Sequence, residues 1–123
     1  MAMRARDFDA SVRFYTEALG FRATLAWGEG DGRAVMLDTG DGSCIEIFAG
    51  GSDADVPEGR LLHFALRAAD VDAALERAVA GGAEVTVAPQ HVDIPTDPVT
   101  PVRLAFCKGP DGEVIEFFCE RPA

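Results

Sequence analysis

Two glutamates stand inside runs that are otherwise apolar: Cys44-Ile45-Glu46-Ile47-Phe48 and Val114-Ile115-Glu116-Phe117-Phe118. Strand side chains alternate faces. Cys44, Glu46 and Phe48 therefore share one face, as do Val114, Glu116 and Phe118, while Ile45/Ile47 and Ile115/Phe117 are left to pack on helices. A carboxylate in apolar surroundings needs a partner, because an isolated charge taken out of water is costly. His63 heads the run Leu61 to Arg67 and shares its face with Ala65 and Arg67. An imidazole beside two carboxylates is a borderline nitrogen/oxygen donor set that suits Zn, Ni, Co, Mn or Fe. The same carboxylates, Glu116 and Glu46, are candidates for moving a substrate proton. The plainer readings are surface glutamates on a solvated face and a structural histidine at a strand start.

Further candidates surround this set. Arg4 and Arg67 stand 63 residues apart, and a guanidinium can clamp a carboxylate or phosphate through two parallel hydrogen bonds. Their alternatives are an internal ion pair to Glu46 or Glu116, or an exposed strand-edge charge. Trp27, Phe48, Phe106 and Phe118 line either an aromatic pocket or the core. His91 falls in a Pro-bearing stretch that reads as a solvated loop or a lid. Cys44 reads as a small buried hydrophobe, since nothing near it in sequence would favour a thiolate. Gly28 to Gly32 is no phosphate loop, because it joins two strands and carries no Lys. No Ser or Cys nucleophile motif is present.

The elements that must position these groups repeat. Met1 to Arg6 reads as a strand. Asp7 then caps a helix whose apolar stripe is Phe8, Val12, Tyr15 and Leu19, closed by Gly20. Strands follow over 21–27, 33–38 and 43–49, with Gly-rich turns between them. A linker covers 51–60. The pattern then restarts with a strand over 61–67. Asp70 caps a helix striped by Val71, Ala74, Leu75 and Ala78, which ends at Gly81-Gly82. Strands over 84–88, 102–107 and 113–118 complete it, with a loop over 90–101 and a tight turn at Gly109-Pro110-Asp111-Gly112. Asp7-Phe8-Asp9-Ala10 matches Asp70-Val71-Asp72-Ala73 at an offset of 63, and the two Glu-bearing runs match at 70. The fold class expected is α+β: tandem βαβββ modules, about 1–50 and 61–119, forming an open, barrel-like mixed sheet with helices on its outer face, in a single domain.

Composition bounds the function classes. The chain has 123 residues, 11 basic and 21 acidic, for a net charge of −10. Each half, 1–60 and 61–123, nets −5. Nucleic acids and anionic membranes demand a basic face, so neither is an expected partner. A hydrophobic share of 48% is too high for a disordered acidic chain. No apolar run reaches membrane-spanning length, and the first residues lack a signal-peptide core. Three cysteines, odd in number and sparse, read as reduced thiols in the cytoplasm.

The sequence resembles the vicinal oxygen chelate superfamily: glyoxalase I, fosfomycin- and bleomycin-resistance proteins, and extradiol dioxygenases. The residues that carry the likeness are Asp7, Asp9, Ser11, Phe14-Tyr15 and Leu19-Gly20-Phe21; Ile45-Glu46-Ile47; His63-Phe64-Ala65-Leu66 with Asp70; and Gly109-Pro110-Asp111-Gly112 with Ile115-Glu116. The resemblance implies metal ligands on the first and last strand of each module. Glu46, His63 and Glu116 match three of the four, and the offset of 63 puts the equivalent of His63 one position ahead of Met1. It implies Arg4 as a contact to an anionic part of a substrate, with Arg67, Trp27, Phe48 and Phe118 as further binding residues. The function expected on that basis is a glyoxalase-like (lactoylglutathione-lyase-like) enzyme. A divalent ion would hold vicinal oxygens of a small substrate there while Glu116 or Glu46 shuttles a proton. The alternative is a metal-free, bleomycin-resistance-type binder that sequesters a small molecule. Dioxygenase chemistry fits less well, because it wants a second histidine. A homodimer is expected in either case.

Overall fold

Asp7 and Asp70 start the two helices in the same way. Each holds an extended backbone and accepts a hydrogen bond at 3.0 Å from the N–H three residues on, Ala10 and Ala73, which satisfies one of the orphan donors of a first helical turn. The computed structural model describes residues 1–54 and 61–121, so the 55–60 part of the expected linker lies outside the described residues. The chain divides into two compact units, Met1–Val56 with Pro110–Gly112, and Pro57–Gly109 with Glu113–Ala123.

The first unit contains β1 (Ala2–Arg4), α1 (Phe8–Arg13), β2 (Arg22–Trp27), β3 (Ala34–Asp38) and β4 (Cys44–Phe48). Its sheet runs β1-β4-β3-β2, with β1 parallel to β4 and the other pairs antiparallel. The expected single helix to Leu19 changes character after Arg13. Phe14–Ala18 is a π turn, in which the Leu19 N–H reaches back five residues to the Phe14 carbonyl. The Thr16 hydroxyl donates to the Val12 carbonyl at 2.6 Å and so competes with the regular ladder there. Leu37, Ile45 and Ile47 are buried with Phe14 and Tyr15, whose rings meet edge-on at 5.1 Å. Gly28 closes the β2–β3 connection at φ +82, and a Cβ there would collide with the Gly32 carbonyl, so only glycine fits.

The first unit also holds the turn residues 110–112. Asp111 accepts from the Arg6 N–H and from the fully buried Ser11 hydroxyl, both at 2.7 Å. No buried side-chain polar atom among the described residues lacks a partner.

The second unit repeats the plan with β5 (Phe64–Arg67), α2 (Val71–Ala80), β6 (Glu84–Ile94), β7 (Thr100–Lys108) and β8 (Val114–Glu120), in the order β5-β8-β7-β6. The stripe Val71, Ala74, Leu75 and Ala78 is buried, along with Ala105, Cys107, Ile115 and Phe117 of the sheet. Burial pushes the Cys107 thiol up to about 11, with the Glu113 charge adding to it. Arg103 of β7 grips Asp72 of α2 with two bonds, 2.6 and 2.8 Å, which holds that carboxyl below its ordinary range. Among the described residues the architecture is thus α+β, with two helices and eight strands in two mixed four-stranded sheets that do not close.

Two expectations about elements are corrected. The loop expected over 90–101 shrinks to 95–99: β6 extends to Ile94, and β7 begins at Thr100. Pro89 is tolerated because β6 is the sheet edge and its pairing shifts register around that residue. The strand expected from Leu61 begins only at Phe64. Leu61 and Leu62 are 85% and 60% exposed, so apolar character there does not mean pairing.

Candidate functional site

The site is built by register. On the second unit, β5 runs parallel to β8 so that Ala65 faces Glu116 and Arg67 faces Phe118. β7 places Phe106 opposite Glu116 and Leu104 opposite Phe118. These residues share the face of the sheet turned away from α2, since Ala105, Cys107, Ile115 and Phe117 take the other one.

His63, just ahead of β5, reaches this face. Its Nε2 stands 3.1 Å from Glu116 Oε2, and its ring meets Phe106 edge-on at 5.1 Å. At that separation the two groups form an ion pair when the imidazole is protonated. Glu116 is the more enclosed partner, with its side chain 16% exposed against 38% for His63. Two residues along, the Arg67 guanidinium lies over the Phe118 ring at 5.2 Å.

The first unit repeats the arrangement by itself. Glu46 faces Ala2 of β1 and Met36 of β3, and Arg4 faces Phe48. Arg4 lies over the Phe48 ring at 5.6 Å and donates to the Ala49 carbonyl at 2.8 Å. Trp27 meets Phe48 edge-on at 6.5 Å. Neither guanidinium is ion-paired to Glu46 or Glu116 among the described residues. Glu46 itself has no ion-pair partner among them.

The sequence candidates therefore sort by unit. His63, Glu116, Arg67 and Phe118 share one sheet face; Glu46, Arg4, Phe48 and Trp27 share the equivalent face of the other unit. Among the described residues, no three His, Cys, Asp or Glu side chains gather as one metal site. The donor types present, one imidazole nitrogen and carboxylate oxygens, suit a borderline divalent ion. His63 and Glu116 are the two that stand in contact.

His91 does not serve a lid. It sits on β6 opposite Arg103, and its Nδ1 is 3.2 Å from the Arg121 guanidinium, which also bonds Asp93 at 3.0 Å. Phe106 is more central than its sequence suggests. The signal for it is its place directly across from Glu116, which becomes legible only when β7 and β8 are paired. Phe8 and Arg33 are further contacts that spacing does not reveal. The guanidinium lies 4.7 Å over the ring, beside a cavity of about 370 Å³ lined by Val12, Trp27 and Val35.

Comparison with known proteins places this arrangement. Residues 1–117 match the family model for the Glyoxalase/Bleomycin resistance protein/Dioxygenase superfamily. The uncharacterized protein YwbC of Bacillus subtilis (strain 168) is 32% identical over 122 residues, which covers 92% of this chain and 89% of that one. A crystal structure of a mutant glyoxalase I from Zea mays superposes with a TM-score of 0.76 at 24% identity. The match covers 95% of this chain but only 42% of the maize chain. TnmS3, an antibiotic binding protein from Streptomyces sp. CB03234, superposes at 0.68 with 25% identity, over 100% of this chain and 93% of that one. By the match of a family model to nearly its whole length, the chain belongs to the Glyoxalase/Bleomycin resistance protein/Dioxygenase superfamily.

Proposed function

We propose that this protein is a glyoxalase-type enzyme for a small molecule, with His63, Glu116 and Glu46 as ligands of a divalent cation drawn from Zn, Ni, Co, Mn and Fe. The observation that carries the reading is the 3.1 Å contact between His63 Nε2 and Glu116 Oε2 on a sheet face whose counterpart displays Glu46. When bound, such an ion polarises two adjacent substrate oxygens and stabilises the negative charge that develops on them. The chain's own groups do the rest. Glu116 is engaged by His63, whereas Glu46 has no ion-pair partner among the described residues. Glu46 is therefore the better placed to take the substrate proton, with Glu116 as the returning acid. Phe106 packs edge-on against the His63 ring.

We read the chain as one domain of two modules, acting in the cytoplasm as a homodimer. Its three cysteines are all free thiols, and no helix among the described residues is long and apolar enough to cross a membrane. Leu25 and Trp27 leave 61% and 45% of their surface exposed on β2, apolar area that a second copy would cover.

A second reading has its own support. The resemblance to an antibiotic binding protein and the ring-lined faces around Phe48 and Phe118 favour a metal-free dimer that sequesters a small molecule. Native mass spectrometry after incubation with each of the five ions separates the two. The enzyme reading predicts a dimer carrying about one ion per chain, lost in Glu116→Ala. A dimer that stays metal-free with every ion supports the binder, and a monomer counts against both.

A further inference from the structure

We infer that the cavity of about 370 Å³ between α1 and the β2–β3 pair of the first unit is a binding site for a neutral aromatic molecule, bounded at one end by the Arg33–Asp9 pair. The site is separate from the metal reading. Ala26 and Val35 stand opposite one another and face α1, whereas Met36 and Glu46 stand opposite one another on the other face of the same sheet.

Three observations carry the inference. The first is the size and chemistry of the walls. Phe8 and Val12, one turn apart on α1, form one wall; Ala26 of β2 and Val35 of β3 form the other. The room comes from β2, whose residues on this face are alanines: Ala23 opposite Leu37 and Ala26 opposite Val35. Small-molecule sites begin at roughly 300 Å³ and are lined mainly by apolar groups. An apolar cavity of only about 150 Å³ already admits a benzene ring.

The second is that the charge in the wall is already met. Arg33 Nη1 donates to Asp9 Oδ1 at 3.2 Å and Nε donates to the Gly30 carbonyl at 3.1 Å, while the guanidinium lies 4.7 Å over the Phe8 ring. A charged ligand would lose water against apolar walls with no counter-charge left to receive it. An uncharged ring gains contact area against Phe8, Val12 and Val35 without that cost.

The third is the sister module. The repeat offsets of 63 and 70 carry Phe8 to Val71, Asp9 to Asp72, Val12 to Leu75 and Arg33 to Arg103. The clamp is kept, since Arg103 bonds Asp72 at 2.6 and 2.8 Å. The space is not. Val71 and Leu75 are buried, 2% and 6% exposed, where Phe8 and Val12 are half-buried. The cavity beside the second clamp is smaller, about 230 Å³, and is bordered by Asp70, Glu120 and Arg121. An open apolar cavity is therefore a property of the first module's side chains and not of the fold they share.

Indole titrated into the metal-free full chain, with its methyl groups labelled and followed by NMR, tests the site. Saturable shifts are expected at the Val12 and Val35 methyls, with the Met36 methyl on the opposite face unmoved. Indole-2-carboxylate should bind at least about tenfold more weakly. Ala26→Phe places a ring in the cavity from an exposed edge strand and should weaken indole at least about tenfold, with Ala26→Leu in between. Unshifted methyls of the buried Ile45 and Ile47 certify the fold of each variant, and Ala26→Leu carries the test if Ala26→Phe fails that check. No saturable shift, shifts at Met36 in place of Val12 and Val35, equal binding of the carboxylate, or unchanged indole affinity in the filled variants would each overturn the assignment. Because no metal is added, failure here leaves the enzyme reading intact, and failure of metal binding leaves this site standing.

Discussion

At the scale of residues, environment decides which groups can react. The three cysteines share one chemistry but not one setting. Cys107 is wholly buried, while Cys44 and Cys119 are partly exposed. Because the thiolate is the reactive form, a thiol whose pKa is raised to about 11 stays neutral and inert until the solution approaches that value. Iodoacetamide at pH 8, read by peptide mass spectrometry, should label Cys44 and Cys119 and spare Cys107 in the folded protein. Labelling of Cys107 at the rate of the other two would refute the burial argument. The same contrast separates the two glutamates: Glu116 answers His63, and Glu46 answers no charge among the described residues. Their equivalence is visible in sequence, since two similar five-residue runs give it away. The difference between them is not, because it depends on His63, 53 residues before Glu116, being delivered by a parallel strand pairing.

At the scale of elements, the helices are the most legible part and the edge strand the least. Asp70 with the stripe at 71, 74, 75 and 78 carries both the start and the buried face of α2, and both are found as expected. Replacing that cap, Asp70→Ala, orphans the Ala73 N–H and should cost about 1 kcal/mol in urea unfolding. No change in midpoint would mean that the helix start is held by packing instead. β6 is hidden by its composition. Pro89 and Asp93 within it, and Pro95 and Asp97 just beyond its end, read as loop punctuation, yet an edge strand needs partners on one side only and tolerates a missing N–H. Leu61 and Leu62 mislead the other way. They extend an apolar run that the sheet does not use, and so His63 precedes its strand. The π turn after Arg13 has no signature in the stripe, because apolar spacing alone cannot tell one helical pitch from another.

At the scale of the molecule, duplication is the organising fact. One module laid down twice gives two sheets of the same strand order, and with them two glutamates, two stacked arginines and two capped helices. Function then lies in how the copies diverge. The second unit adds His63 and Phe106 around its glutamate; the first has Met36 opposite its own and keeps Trp27 beside the stacked ring. The ligand set proposed above takes Glu46 from one copy of the module and His63 with Glu116 from the other. Nickel titration of the wild-type protein and of Glu46→Gln by calorimetry tests this most directly. The account predicts stoichiometric binding to the wild type and at least about tenfold weaker binding, 1.4 kcal/mol, in the variant. Equal affinity in the two proteins, or no binding to either, would contradict it.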